Sequence, residues 1–297
     1  MASLIESFVA NYKREMDFYL EAARLCKLEC ESLLKENGSR AIVTYRAKSP
    51  ERLEEKLGNR NAKASYTSQD QIRDDIVDLA GVRAALYFPS DREQLEKLIP
   101  SAFVLLGEPK KFPEVVASRP NKKFSGYHAT HYRVKLPADD LTEERIRYAD
   151  APIEIQVASV LMHAWAEVEH DLVYKPETGD LSEDEYAILD QLNGLVLSGE
   201  TALELLQRAV KARVGSGETS FANQYELAAF LFEQLKKSRS AAAPEEPIMG
   251  RVDRLFKLIR RADLNNPDAL KIYIESLDPN TEKRPIADQI VDRLLAG

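Results

Sequence analysis

The segment PIEIQV (152–157) alternates Ile153, Ile155 and Val157 with Glu154 and Gln156, so a strand here has one apolar face and one face bearing a carboxylate and an amide. Such a face is either a half-exposed sheet surface or a place for chemistry. A second acid, Asp78, reads as the end of an apolar helix just before Gly81 and a strand carrying Arg83. Two carboxylates delivered to one sheet face can hold Mg²⁺, which takes few carboxylates and completes its shell with waters and phosphate oxygens. Phosphoryl chemistry is the natural use of that ion. Asp74 and Asp75 are close rivals for Asp78, and spacing alone ranks them poorly.

A basic segment complements the acids. In YRAKSPERLEEK (45–56), Arg46 and Lys48 fall two apart on a strand, and a Ser-Pro helix start puts Arg52 and Lys56 one turn apart. Guanidinium groups can stack on a nucleobase and lysines can neutralise phosphates, although a basic surface helix has the same pattern. The loop PNKKFSGYHATH (120–131) places Lys122, Lys123 and Tyr127 around a Ser-Gly pair. Tyr127 is either a base-stacking platform or a tyrosine packed on the sheet edge. Further on, His163, Glu167 and His170 share one side of a helix whose other stripe, Leu161, Trp165, Val168 and Leu172, reads as core. The histidines either chelate a transition metal or pair with carboxylates, and the absence of an evident fourth ligand weighs against zinc. The phosphate-binding and nucleophile motifs G-x-x-x-x-G-K-[ST], G-x-G-x-x-G and G-x-S-x-G are absent.

Charge is segregated in the same way. The chain has 297 residues and a net charge of −8, yet residues 41–135 carry 17 bases against 12 acids and residues 136–190 carry 3 against 15. All four histidines, His128, His131, His163 and His170, lie near that seam, where an anionic ligand and a cation would meet. At 44% hydrophobic residues, with no apolar run long enough to cross a bilayer, the composition excludes disordered, fibrous and membrane-spanning classes. The charged amphipathic N-terminus does not read as a signal peptide, so the expected location is cytoplasmic. Cys26 and Cys30, four apart on one helix face, read as a reduced, partly buried pair.

The elements that must position these groups follow from periodicity. One long helix or two abutting ones are expected over 2–36, stopping at Asn37-Gly38; strands over 41–47, 82–88, 102–106, 130–136 and 152–157; helices over 50–57, 69–79, 91–98 and 160–173 between or after them. Helices are then expected over 182–213, 220–238, 248–262, 267–276 and 284–295. The fold class is therefore α+β: a mixed sheet of α/β type flanked by helices, with an N-terminal helical segment (1–40), a core (41–180) and a helical C-terminal region (181–297) containing a linker at 238–247. Basic groups at Lys236, Lys237 and Arg239, and at Arg251, Arg254, Arg260 and Arg261, either touch RNA or line a solvated face, and the net neutrality of their segment favours the face.

Taken in order, YRAKSPERLEEKL (45–57), DIVDLAGVR (75–83), SGYHATH (125–131), IEIQV (153–157) and WAEVEHDLVYK (165–175) resemble the synthetase domain of the RelA/SpoT alarmone synthetases, most closely the small single-domain synthetases and their toxic relatives. The resemblance implies a GTP diphosphokinase-like activity of the stringent response: Mg²⁺-dependent transfer of the β,γ-pyrophosphate of ATP to the ribose 3′-hydroxyl of GDP or GTP, giving (p)ppGpp. It further implies that Arg46 and Arg83 sandwich the adenine and that Lys48 and Lys56 contact the ATP phosphates. Asp78 would hold Mg²⁺; Glu154 would be the second metal ligand or the group that activates the hydroxyl, with Gln156 beside it. Lys123, Tyr127 and His131 would serve the acceptor. His163, Glu167 and His170 would be mostly architectural.

Two departures concern the acceptor. His128 stands where the family has an Arg, and Ala158-Ser159 where it has Arg-Thr. The alternative is a toxin-like synthetase that modifies an adenine nucleotide or the 3′ end of tRNA. No hydrolase domain of the kind found in the long members is expected from these residues, and homo-oligomerisation through terminal helices is what the resemblance to small members implies.

Overall fold

The computed structural model describes residues 3–113, 123–173, 181–215, 220–238, 248–277 and 284–296. Residues 120–122 of the acceptor loop, Tyr174 and Lys175, Arg239 and nearly all of the expected linker lie outside the described residues, as do the side chains of Lys236 and Lys237. The chain forms two compact units. One comprises Met1–Glu31, Ile42–Leu86 and Arg92–Leu197; the other comprises Ser32–Ala41, Tyr87–Asp91 and Ser198–Gly297.

The first unit is built on a six-stranded mixed sheet, as the α+β reading requires. Its strands are β1 (Ala41–Ala47), β2 (Ala80–Leu86), β3 (Val104–Leu105), β4 (Lys110–Phe112), β5 (Ala129–Lys135) and β6 (Ile153–Ser159), in the order β1-β2-β6-β5-β3 with β4 also paired to β5. β2 and β6 run parallel in the register Gly81↔Glu154 and Arg83↔Gln156, and β5 runs antiparallel to β6 with His131↔Gln156. Alternation does the sorting. Ala80, Val82, Ala84, Ile153, Ile155, Val157 and Val134 are fully buried, whereas Arg83, Glu154, Gln156 and His131 project from the other face.

Helices α1 (Leu4–Glu36), α2 (Pro50–Ala64), α3 (Gln69–Asp75), α4 (Asp91–Ala102), α5 (Val160–Val173) and α6 (Glu183–Gly215) follow. Ser49 caps α2 by accepting from the Arg52 N–H, with Pro at the start of the helix, and Leu53 and Leu57 are its fully buried residues. α1 stops at Gly38, whose φ of +72° favours glycine; a Cβ there would fall 2.2 Å from that of Ala228 in the second unit's core. That core is helical throughout: α7 (Gln224–Ser238), α8 (Val252–Arg261), α9 (Pro267–Glu275) and α10 (Ile286–Ala296) bury Phe230, Leu231, Leu255, Leu270 and Ile290. Among the described residues, no helix is long and apolar enough to cross a membrane.

Several expected boundaries move. α3 ends at Asp75 because Ile76 turns extended, so Asp78 lies in the connector to β2 and not on a helix. Lys48 lies one residue past the end of β1. The strand expected at 102–106 shrinks to Val104–Leu105, since α4 runs on through Pro100 and Phe103 still donates to the Ile99 carbonyl. The three-residue β4 was not expected. The apolar stripe of α5 is also rephased. Met162 and Trp165 face inward with Ala129, Ala158 and Leu189, while Val168 and Leu172 are exposed.

Ile155 sits at 0% exposure in the central strand and Ile42 at 49% in β1. Ile155→Ala is expected to cost about 2–5 kcal/mol, and Ile42→Ala no more than about 0.5 kcal/mol, read as shifts in the denaturant midpoint of unfolding.

Candidate active site

Three segments converge on Asp78. The backbone N–H of Lys48 donates to the Leu79 carbonyl (3.0 Å), joining the end of β1 to the connector before β2. Tyr12, fully buried on α1, donates its hydroxyl to the Lys48 carbonyl at 2.6 Å and lies 3.4 Å from that of Leu79. This clamp sets the ammonium of Lys48 2.6 Å from Asp78 Oδ2, and α2 brings the ammonium of Lys56 to 2.9 Å from Oδ1. Burial alone would raise the Asp78 carboxyl; the two lysines outweigh it and bring the group down to about 2. Of the neighbouring acids, Asp75 is engaged by Arg60 and Tyr66, and Asp74 is exposed.

Glu154 is fixed from both sides. Gln156, two residues on and therefore on the same face, donates Nε2 to Glu154 Oε2 at 2.7 Å, and His131 Nδ1 from the adjacent strand stands 3.4 Å from Oε1. Burial pushes the Glu154 carboxyl up, but the His131 and Gln156 contacts prevail and hold it below the usual range even though the Asp78 charge opposes them. The two acids therefore sense one another. Two hard, ionised carboxylates of this kind fit a Mg²⁺ ion whose remaining ligands are water or phosphate oxygens. Among the described residues there is no cluster of three or more His, Cys, Asp or Glu to form an all-protein metal cage.

Arg46 and Arg83 form the cationic side. Arg83 donates Nε to Gln156 Oε1 (3.4 Å) and is ion-paired with Glu167 of α5. Burial lowers the Arg46 guanidinium, and the like charge of Arg83 lowers it further. Two cations at such close quarters favour an anion or a π face between them. His163 lies buried on α5, its Nε2 without a hydrogen-bond partner among the described residues, and burial with the nearby Arg83 charge pushes its pKa down to about 4. His170 is exposed near Asp171 and does not join His163 and Glu167 in a metal site.

The loop before β5 is held from α6. Asp190 accepts from the backbone N–H groups of Lys123 (2.9 Å) and Phe124 (3.2 Å), and Asn193 bonds both the N–H and the carbonyl of Gly126. Tyr127 is not splayed outward. Its ring packs on Phe112 at 5.7 Å and its hydroxyl reaches His131 Nε2 at 3.3 Å. Lys123 is tied by its backbone, and its ammonium makes no ion pair among the described residues. His128 bonds Ser125, while Ala158 and Ser159 are buried, the Ser159 hydroxyl accepting from the Met162 N–H to start α5. Sequence reasoning missed Tyr12, Asp190 and Asn193. Their only signal was polarity within an apolar helical pattern, and their partners lie 36 to 67 residues away.

The depressed Asp78 carboxyl contributes about 2 kcal/mol of stability. That contribution is fully present above its unfolded value near 3.9 and is lost as pH falls toward 2. Lys48→Met is expected to raise the Asp78 pKa by about one unit, measured by carboxyl ¹³C NMR titration; an unchanged value would mean that the lysine does not act on it.

Residues 45–179 match a family model described as a region found in RelA/SpoT proteins. A search of curated proteins returns no significant match. Among solved structures, the chain resembles a GTP pyrophosphokinase family protein from Streptococcus pneumoniae (21% identity, TM-score 0.52, 67% of this chain and 94% of that one) and small alarmone synthetase 1 from Bacillus subtilis (20%, 0.53, 68% and 98%). It also resembles the latter protein bound to its product pppGpp (20% identity, TM-score 0.51, 67% of this chain and 98% of that one). Residues 45–179 of this chain are thus a region of the RelA/SpoT type, carried on the fold found in small alarmone synthetases.

Proposed function

We propose that this protein is a Mg²⁺-dependent pyrophosphokinase that transfers the β,γ-pyrophosphate of ATP to the ribose 3′-hydroxyl of GDP or GTP. The observation that carries the reading is the pairing of two ionised carboxylates, Asp78 and Glu154, with the lysines of Asp78 beside them. In the reaction a bond forms between the acceptor 3′-oxygen and the β-phosphorus of ATP. The bond from that phosphorus to the α–β bridging oxygen breaks, AMP leaves with the electron pair, and the hydroxyl proton passes to Glu154 or through it to water.

Each residue then has a task. Arg46 and Arg83 take the adenine between their guanidinium planes. Lys48 and Lys56, paired with Asp78 in the free protein, turn to the triphosphate when it arrives, and Asp78 and Glu154 would hold a Mg²⁺ ion, whose charge would offset that of the phosphates. Glu154, held ionised, is suited to accepting a hydrogen bond from the 3′-hydroxyl and orienting it; Gln156 and His131 position Glu154. Tyr127 leaves Phe112 to stack on the acceptor base, with Lys123 and His131 toward its phosphates.

A second reading has a specific observation behind it. His128 is bonded to Ser125, and Ala158 and Ser159 are buried in the start of α5, so none of the three brings a cation to the acceptor. An acceptor other than a guanine nucleotide, either an adenine nucleotide or the 3′ end of tRNA, is the alternative. Incubation with ATP labelled at the γ-phosphate and each acceptor in turn decides between them, with label expected on GDP or GTP. Glu154→Gln is expected to lower the transfer rate at least ~10²-fold while leaving ATP binding within a few fold. Normal turnover by Glu154→Gln would remove the proposed role of that carboxylate.

A further inference from the structure

The face of the sheet opposite Glu154 carries a cavity of about 570 Å³ between α4 and the edge of the sheet. In the β4–β5 pairing, Lys111 stands opposite Thr130, and both alternate away from His131, which serves the carboxylate face. The cavity wall includes Arg92, Glu93, Glu96 and Lys97 from α4, Lys111 and Phe112 from β4, and Thr130 from β5. Glu96 is already engaged at both oxygens. Thr130 donates its hydroxyl to Oε1 at 3.0 Å, and the Lys111 ammonium lies 2.8 Å from Oε2. Glu93 is exposed at the rim.

Arg92 is different. It is half-buried and makes no ion pair among the described residues, and its charge, after burial itself, helps to keep the neighbouring His128 neutral. A half-withdrawn guanidinium without a counter-ion bears a desolvation cost that an anion would relieve. Arg92 and Lys97 stand five residues apart on α4, and Lys111 stands on the facing strand. A single small oxyanion would meet one of these groups; a chain of linked phosphates would span them. The volume is of the size used for small-molecule sites, and Phe112 supplies an apolar wall.

We propose that this cavity is a second oligophosphate-binding site, with Arg92, Lys97 and Lys111 holding the anion and Lys111 exchanging Glu96 for it. It is separate from the cradle of Lys48 and Lys56 and does not depend on the transfer reaction. Phe112 is the wall shared with the acceptor side, its ring 4.7 Å from that of His131.

Isothermal titration of the full chain with inorganic triphosphate tests the site. Two equivalents are expected, one at Lys48 and Lys56 and one in the cavity. The Arg92→Ala/Lys97→Ala variant should lose one equivalent, and Lys48→Ala/Lys56→Ala should retain the one that Arg92→Ala/Lys97→Ala loses. Glu96→Gln, which releases the charge of Lys111, should tighten the cavity site by about 5-fold. Unchanged stoichiometry and affinity in Arg92→Ala/Lys97→Ala, or weaker binding by Glu96→Gln, would overturn the proposal. A protein unable to turn over any nucleotide would give the same answer at the cavity, so this result does not depend on the proposed activity.

Discussion

The parallel pairing of β2 with β6 constrains every distance at the carboxylate centre. Because Gly81 lies opposite Glu154 and Arg83 opposite Gln156, and because β5 adds His131 opposite Gln156, one face of three adjacent strands presents a cation, a carboxylate, an amide and an imidazole. The register is held by the other face, where Val82, Ala84, Ile153, Ile155 and Val157 are fully buried. A slip of one residue would turn those apolar side chains to the site and the polar ones into the core, which makes the register strongly specified. Asp78 depends on the same pairing, since it stands two residues upstream of Ala80, where β2 begins.

Charge is concentrated there at some cost to the free protein. Arg46 and Arg83 repel, Lys48 and Lys56 share one acid, and the Asp78 charge opposes the ionisation of Glu154. Each conflict is relieved locally: Asp78 by its lysines, Glu154 by His131 and Gln156, Arg83 by Glu167. The binding of a polyanion with a divalent cation would redistribute all of these pairings at once. The same reasoning applies in smaller measure to Arg92 on the reverse face, where Glu96 is already taken by Lys111 and Thr130.

Much of this arrangement was legible in the residues because it is local. Strict alternation over 152–157 identified β6 and the face of Glu154, and the Ser-Pro start identified α2 and hence Lys56. What escaped was set by contacts between distant segments. Tyr12 acts on Lys48 from α1, and Asp190 and Asn193 act on the Tyr127 loop from α6; no periodicity encodes such partners. Residues 76–79 looked helical by composition, yet the backbone turns extended at Ile76 and the Lys48 N–H takes the Leu79 carbonyl. The phase of α5 was misjudged because Trp165 fits two apolar stripes. Packing against Ala129, Ala158 and Leu189 selects the one through Met162.

The central claim is that Asp78 and Glu154 form one pyrophosphoryl-transfer centre. It is tested most directly by ³¹P NMR of the protein with ATP, Mg²⁺ and GDP. The account expects AMP to accumulate in step with a nucleotide whose new diphosphate is attached at the ribose 3′ position, and expects both to form at least ~10²-fold more slowly with the Glu154→Gln variant. Formation of ADP and inorganic phosphate, or of AMP with free pyrophosphate and no 3′-modified nucleotide, would contradict it.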